Sequence, residues 1–156
     1  MAEAITSRPI TDTDEPLLRR IYASTRADEM AVVPWTEPEK AAFLKIQFEA
    51  QHKYYQEIFP DAEFSILEVN GEPIGRLYID RREDEHRLID IALLPEFRGK
   101  GIGGRLMRGV LDEVRQAGKL VRIHVEQNNP AMRLYKRLGF EKIEDQGVYW
   151  LMEWRP

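Results

Sequence analysis

The stretch from Asp90 to Gly104 narrows the folds open to this chain more than any other. Apolar residues run as a strand to Leu94, Pro95 interrupts them, and an amphipathic helical pattern begins at Ile102. Arg98, Gly99, Lys100, Gly101, Ile102, Gly103 and Gly104 fill the junction. Glycine allows close backbone approach and dihedrals closed to other residues. A helix N-terminus adds free N–H groups and partial positive charge, and both suit a phosphate. With Arg98 and Lys100 beside them, these features predict a pyrophosphate cradle. A plain glycine-rich turn is the alternative. It gives no reason for four glycines in six residues at a cost in chain entropy.

Gly99 to Gly104 also fits GxGxxG, the dinucleotide fingerprint. Leu120 to Val125 reads as a following strand, and Glu126 at its end could hold a ribose. Against a dinucleotide-binding oxidoreductase or sensor, Pro95 to Arg98 separates the strand from the first glycine. The residues after Glu126 are also expected to be too few for the second half of a doubly wound fold.

At 156 residues the chain is expected to form a single domain, 1–156, with a sizeable core. Its net charge of −4 predicts no nucleic-acid partner. There is no Cys, which removes thiolate catalysis and Cys-based zinc sites. His52, His86 and His124 lack ligand spacing, so no metal is expected. Met1-Ala-Glu-Ala does not start like a leader, and no stretch is long enough to span a bilayer. No membrane association and a cytoplasmic location are the expectations.

Ala4 to Ile10 reads as a first strand. Thr11 to Pro16 offers N-caps for a helix reaching about Arg26, and Met30 to Trp35 reads as a loop. Thr36-Glu-Pro-Glu39 is a capping box for a helix to about Ile58. That helix carries Ala42, Phe43, Ile46, Phe48, Ala50 and Tyr54, either as core or as a wall for an acceptor substrate. Phe64 to Val69, a turn at Asn70-Gly71, Pro73 to Asp80, a charged solvated turn at Arg81 to Glu85, and Arg87 to Leu94 make an antiparallel meander. A helix to about Ala117, capped by Gly118, leads to the strand Leu120–Val125, which suggests parallel pairing across the crossover. Asn129 opens a helix ending at Gly139. Phe140 begins a last strand pair around Asp145 to Gly147.

The run from Asn129 to Phe140 reads N-x-A-x-x-L-Y-x-x-L-G-F, and Arg98 to Gly103 reads R-x-x-G-x-G. Together, in this order and with one helix and one strand between them, they resemble the hallmark segments of the GCN5-related N-acetyltransferases. The element order resembles that family over nearly the whole chain. The likeness is specific from Ile89 to Phe140 and architectural before Phe64. The resemblance implies an α+β fold, a mixed central sheet flanked by helices, and acetyl-CoA as cosubstrate. The acceptor would be a small-molecule amine or a peptide amine that attacks directly. An acidic chain favours a cationic acceptor, and a homodimer is compatible with the reading. A non-catalytic CoA-binding module is the other alternative, and retention of Tyr135 and an unbroken loop argue against it.

The resemblance also implies roles. Backbone N–H groups from Arg98 to Gly104 would hold the CoA pyrophosphate. The strand ending at Leu93-Leu94 would splay from Leu120–Val125, and an N–H near Leu93 or Leu94 would polarise the thioester. Asn129 would cap its helix or touch the cofactor. Tyr135 would protonate the leaving thiolate, a phenol near its target; a packed aromatic is the alternative. Asp90, His124 or Glu126 would take the proton of the amine, each with an ordinary structural explanation beside it, and a water chain could replace all three.

Overall fold

These segments form seven strands, five α-helices and two short 3-10 turns in the computed structural model, which describes residues 4–156. The reading of the first residues as no leader lies, for Met1 to Glu3, outside the described residues. The elements are β1 (Ile5–Pro9), α1 (Glu15–Thr25), α2 (Ala27–Ala31), α3 (Glu37–Ile58), β2 (Glu63–Val69), β3 (Glu72–Arg81), β4 (Glu85–Leu93), α4 (Ile102–Ala117), β5 (Leu120–Glu126), α5 (Met132–Leu138), β6 (Glu141–Gln146) and β7 (Tyr149–Trp154). The strands form one mixed sheet in the order β1-β2-β3-β4-β5-β7-β6. The pair β4–β5 is parallel, while β1–β2, β5–β7 and β6–β7 are antiparallel. No helix among the described residues is long and apolar enough to cross a membrane.

The chain divides into two compact units. The first runs to Leu77 and includes Ile91–Phe97; the second holds Tyr78–Asp90 and Arg98–Pro156. In the first unit, Asp14 closes the turn between β1 and α1. Its carboxylate accepts from both terminal nitrogens of Arg8 at 2.8 Å and from the Thr11 N–H at 2.8 Å. The Arg8 hydrogen bond, with help from Thr11, holds the carboxyl down from 3.8 to about 2 despite its burial. The capping box at Thr36 starts α3: Glu39 N–H reaches the Thr36 hydroxyl at 3.3 Å, and Thr36 N–H reaches Glu39 at 3.0 Å. The core gathers Leu18, Ile21 and Tyr22 of α1, Phe48 of α3 and Ile66, Leu67 and Ile74 of the sheet. Ile21 packs with Ala92 and Leu94, joined by Leu17 and Phe97.

Two expectations change here. The loop read from Met30 begins later, because α2 runs through Ala31 on good helix formers such as Ala27, Glu29 and Met30. The mixed apolar positions of α3 are not mainly core: Phe48 alone is buried, and Ile46 and Tyr54 stand in solvent.

In the second unit, α4 buries Met107, Val110, Leu111 and Val114 and ends on Gly118 in the left-handed conformation. Lys119 N–H closes the end on Val114 O at 3.0 Å. Side chains alternate across a strand, and cross-strand partners share a face. Val121 pairs with Trp154, whose indole N–H donates to Leu138 O of α5 at 2.9 Å. His86 bonds Glu113 of α4. Val121, Ile123 and Val125 therefore face the helices, and Arg122, His124 and Glu126 face away from them. The charged turn at Arg81 to Glu85 is not simply solvated. Glu85 is buried, taking Arg87 at 3.3 Å and Arg122 at 3.4 Å, and His86 is buried beside it. The helix expected from Asn129 starts at Met132, because the Asn129 side chain takes the Ala131 N–H at 2.7 Å and makes a turn first.

Two outcomes follow for the first unit. A Cβ at Gly75 would lie 2.2 Å from Ala92 O and 3.0 Å from Leu93 Cα, so Gly75→Val should lower stability by more than about 2 kcal/mol in urea unfolding. Asp14 binds fewer protons folded than unfolded. Its contribution is present above pH 3.8 and is lost as pH falls through about 2. Asp14→Asn should flatten the acid limb of the stability curve over that window.

Candidate active site

The glycine junction forms the mouth of α4. Gly99 and Gly101 have φ of 72° and 78°, the left-handed region. A Cβ at either would meet nothing within 4 Å, so the backbone there borders open space. The first helical bond runs from Arg105 N–H to Gly101 O at 3.1 Å. That leaves the N–H groups of Ile102, Gly103 and Gly104 in the first turn, where an α-helix has no internal acceptor for them. Gly103 lies 3.7 Å, measured from an added Cβ, from Leu134 of α5, and Gly104 packs beside the Arg108 guanidinium. Arg98 and Lys100 flank the mouth. Donors, dipole and side-chain charge there all suit a phosphate, and small residues leave it room.

The parallel register runs from Glu85↔Leu120 to Leu88↔Ile123, and both strands continue beyond it. On its other edge β5 stays paired with β7 as far as Glu126↔Tyr149. The β4 side of β5 thus loses its ladder near His124 while the β7 side keeps it.

Tyr135 sits on α5, 2% exposed, with its ring 5.6 Å from Phe140. Burial, and then the negative charge of Asp90, pushes its phenol well above the usual value. Asp90 shares the helix-facing side of β4 with His86 and Leu88 by alternation. The second unit therefore brings Asp90 and Tyr135 within electrostatic reach of each other.

His124 is on the opposite face and is exposed. Its Nδ1 lies 3.4 Å from Arg87 Nη1. A guanidinium only donates, so Nδ1 must accept, and the neutral ring then carries its proton on Nε2. Partial burial and the Arg87 charge hold His124 below 6.5, against smaller opposing contributions from Gln146 and Glu144. Glu126 lies one row further along this face, with the Tyr149 hydroxyl 3.5 Å away.

Two residues from the sequence argument are engaged locally. In the first unit, Leu94 N–H donates to Ile74 O at 2.8 Å, so that amide is committed to β3. The Asn129 side-chain oxygen is occupied by Ala131 N–H. No group of three or more His, Cys, Asp or Glu among the described residues could hold a metal ion. Sequence reasoning did not single out Arg87. Its pairing with His124 depends on strand register, for which no local signal exists.

The profile of the Acetyltransferase (GNAT) family matches residues 19–140. The chain belongs to this family. Antiparallel pairs on both sides of β4–β5 also exclude the doubly wound sheet of the dinucleotide alternative. An uncharacterised N-acetyltransferase of Methanocaldococcus jannaschii is 33% identical over 90 residues, which are 52% of this chain and 40% of that protein. An N-alpha-acetyltransferase of Sulfurisphaera tokodaii is 28% identical over 101 residues, 54% of this chain and 59% of that protein. The matches thus span less than two thirds of these relatives' length. Among solved structures, the PaiA N-acetyltransferase of Thermoplasma acidophilum, in complex with coenzyme A, superimposes with a TM-score of 0.71 at 17% identity, covering 98% of this chain and 99% of that one. At that identity the likeness is one of GNAT fold.

The Arg87–His124 contact has a direct readout. In 15N-labelled protein, His124 should show the Nε2–H tautomer and titrate below 6.5. Arg87→Gln should raise its midpoint and mix the tautomers, and a His124→Gln spectrum assigns the signal. An unchanged tautomer and midpoint in Arg87→Gln would remove Arg87 from control of this ring.

Proposed function

We propose that this chain transfers an acetyl group from acetyl-CoA to an amine nitrogen by direct attack. The observation that carries the reading is the open mouth of α4, with Gly99 and Gly101 in left-handed backbone and nothing above them. Family membership supports it. The N–H groups of Arg98 to Gly104, with the side chains of Arg98 and Lys100, would hold the pyrophosphate. Acetyl-CoA supplies the acyl thioester, so one C–N bond forms and one C–S bond breaks. The amine gives up a proton, and the sulfur receives one.

Tyr135 is the group we assign to give the sulfur its proton. Its raised pKa keeps it protonated across the physiological range, which suits an acid rather than a base. Asp90 is assigned to that same proton: its charge disfavours a phenolate next to it. With Nδ1 taken by Arg87, His124 is assigned as a hydrogen-bond donor through Nε2. The amine proton then leaves by Glu126 or by water. As acceptor we favour a protein α-amine, in line with the name of the Sulfurisphaera relative, an N-alpha-acetyltransferase. Glu126, on the exposed side of β5, would attract such a cationic group.

Calorimetry should detect acetyl-CoA and CoA binding and no NAD(H) binding; tight NAD(H) binding without CoA would sink the reading. Gly101→Val forces a β-branched residue into φ 78° and fills the open space, so CoA affinity should drop about tenfold or more with circular dichroism unchanged. Acetyl transfer to peptides and to small amines, followed by CoA thiol release, decides the acceptor class. Tyr135→Phe should lower kcat by about 10²-fold when chemistry limits, with CoA affinity unchanged. The raised phenol pKa places any loss of activity from Tyr135 ionisation above about pH 10. Equal turnover in that variant, with chemistry limiting, would remove Tyr135 from proton transfer.

A further inference from the structure

Helix α3 has 22 residues, and Phe48 is its sole buried one. Its outer side carries Ile46, Tyr54 and Ile58, which are 66%, 55% and 53% exposed. Ala42, Ile46, Ala50, Tyr54 and Ile58 recur every fourth residue and so form one ridge on the helix surface. A single exposed isoleucine needs no explanation, whereas a ridge of large apolar groups does. Beside it runs a second ridge, Lys45, Glu49, Lys53 and Glu57, all exposed and alternating in sign. Lys53 and Glu57 stand 3.9 Å apart within the chain. Pairs at this spacing support an exposed helix, which accounts for the charges. It does not account for the apolar ridge.

The order of the charges would also suit one particular cover for the ridge, a second copy of the same helix. Reversing α3 about Gln51 exchanges Lys45 with Glu57 and Glu49 with Lys53. In an antiparallel pair of α3 helices centred there, each charge on one copy meets the opposite charge on the other. A parallel, in-register pair would set Lys on Lys and Glu on Glu, which is repulsive. Ala50, next to the centre, lets two helices approach closely, and Ile46 of each copy then lies two residues, about 3 Å along the axis, from the level of Tyr54 of the second copy. A contact of this kind is isologous, the same patch used twice about a two-fold axis, and it closes at two copies.

We propose that α3 is the surface through which two copies of this chain associate, antiparallel across a two-fold axis at Gln51. The inference does not depend on the acetyl-transfer reading, because no residue of that site lies on α3. Charge complementarity sets partner and register, while the apolar ridge supplies the buried area.

Sedimentation velocity on the full chain over a wide concentration range tests it. The wild type should pass from monomer to dimer. Ile46→Glu should weaken association about tenfold or more and leave the melting curve of the monomer unchanged. Lys53→Glu alone sets like charges against Glu49 of the second copy and should also weaken it. Glu49→Lys combined with Lys53→Glu exchanges the signs and should restore association. Recovery in the double variant supports the antiparallel register; a double variant no better than Lys53→Glu overturns it. A wild type monomeric at every concentration, or a dimer indifferent to Ile46→Glu, overturns the proposal. So does a monomer that sediments with phosphatidylcholine vesicles, which would make lipid the occupant.

Discussion

A strand that runs parallel to its predecessor cannot be reached by a hairpin. The chain must cross back along the sheet, and the economical way is a helix. Here that requirement falls between β4 and β5, and α4 meets it. The crossover fixes where the glycines go: they occupy the turn that follows β4 and opens α4. Once α4 has buried Met107, Val110, Leu111 and Val114, its first-turn donors are held in place by packing remote from them. The backbone part of the proposed phosphate site would need no ordering when it fills, whereas the Arg98 and Lys100 side chains would.

The same constraint shapes β5. One edge of β5 is paired with β7 from Val121 to Glu126, and the other with β4 from Leu120 to Ile123 only. Beyond Ile123, β5 is held on its β7 edge and has no ladder to β4. Alternation along β5 then separates two environments. Tyr135 and Asp90 share the helix-bearing side, where burial and like charge hold a phenolic proton. His124 and Glu126 share the other side, where His124 is exposed and Glu126 half-buried. On the roles proposed above, proton donation and proton removal would lie on opposite faces of β5.

The order of elements was legible in the chain because each boundary carries its own local chemistry. Thr36 and Glu39 cap α3, Asn70-Gly71 turns β2 into β3, Gly118 ends α4, and the two glycine-bearing motifs flank β5. What was not legible depends on register or close approach. Gly75 reads as one more strand residue until Ala92 O arrives beside it. Leu94 reads as a free donor until Ile74 O accepts from it. Arg87 reads as a surface charge until the parallel register sets it against Arg122, with His124 two residues further along the same face. The Arg81–Glu85 turn reads as a solvated tip because five charged residues in a row look like surface. Glu85 is buried only because three arginines surround it.

Helix α3 is the instructive failure. Its apolar content reads as core or as a wall for an acceptor substrate, and its caps predict its ends correctly. Yet periodicity reveals only that apolar side chains share a stripe, not that the stripe points inward. Two apolar directions coexist on α3: one through Phe48 to the core, the other through Ile46 and Tyr54 to solvent. Two stripes on one helix dilute its amphipathic signal, because apolar residues then appear on both sides. Its inner face is held by Phe48 and by half-buried residues, Gln47 bonding Tyr22 at 3.2 Å and Gln51 bonding Arg76 at 3.1 Å, as expected of a helix stabilised mainly by tertiary packing. Weak amphipathicity in a well-capped helix is therefore itself informative. It reflects two apolar directions on one helix, the outer of which is the face that the proposed pairing of two copies would cover.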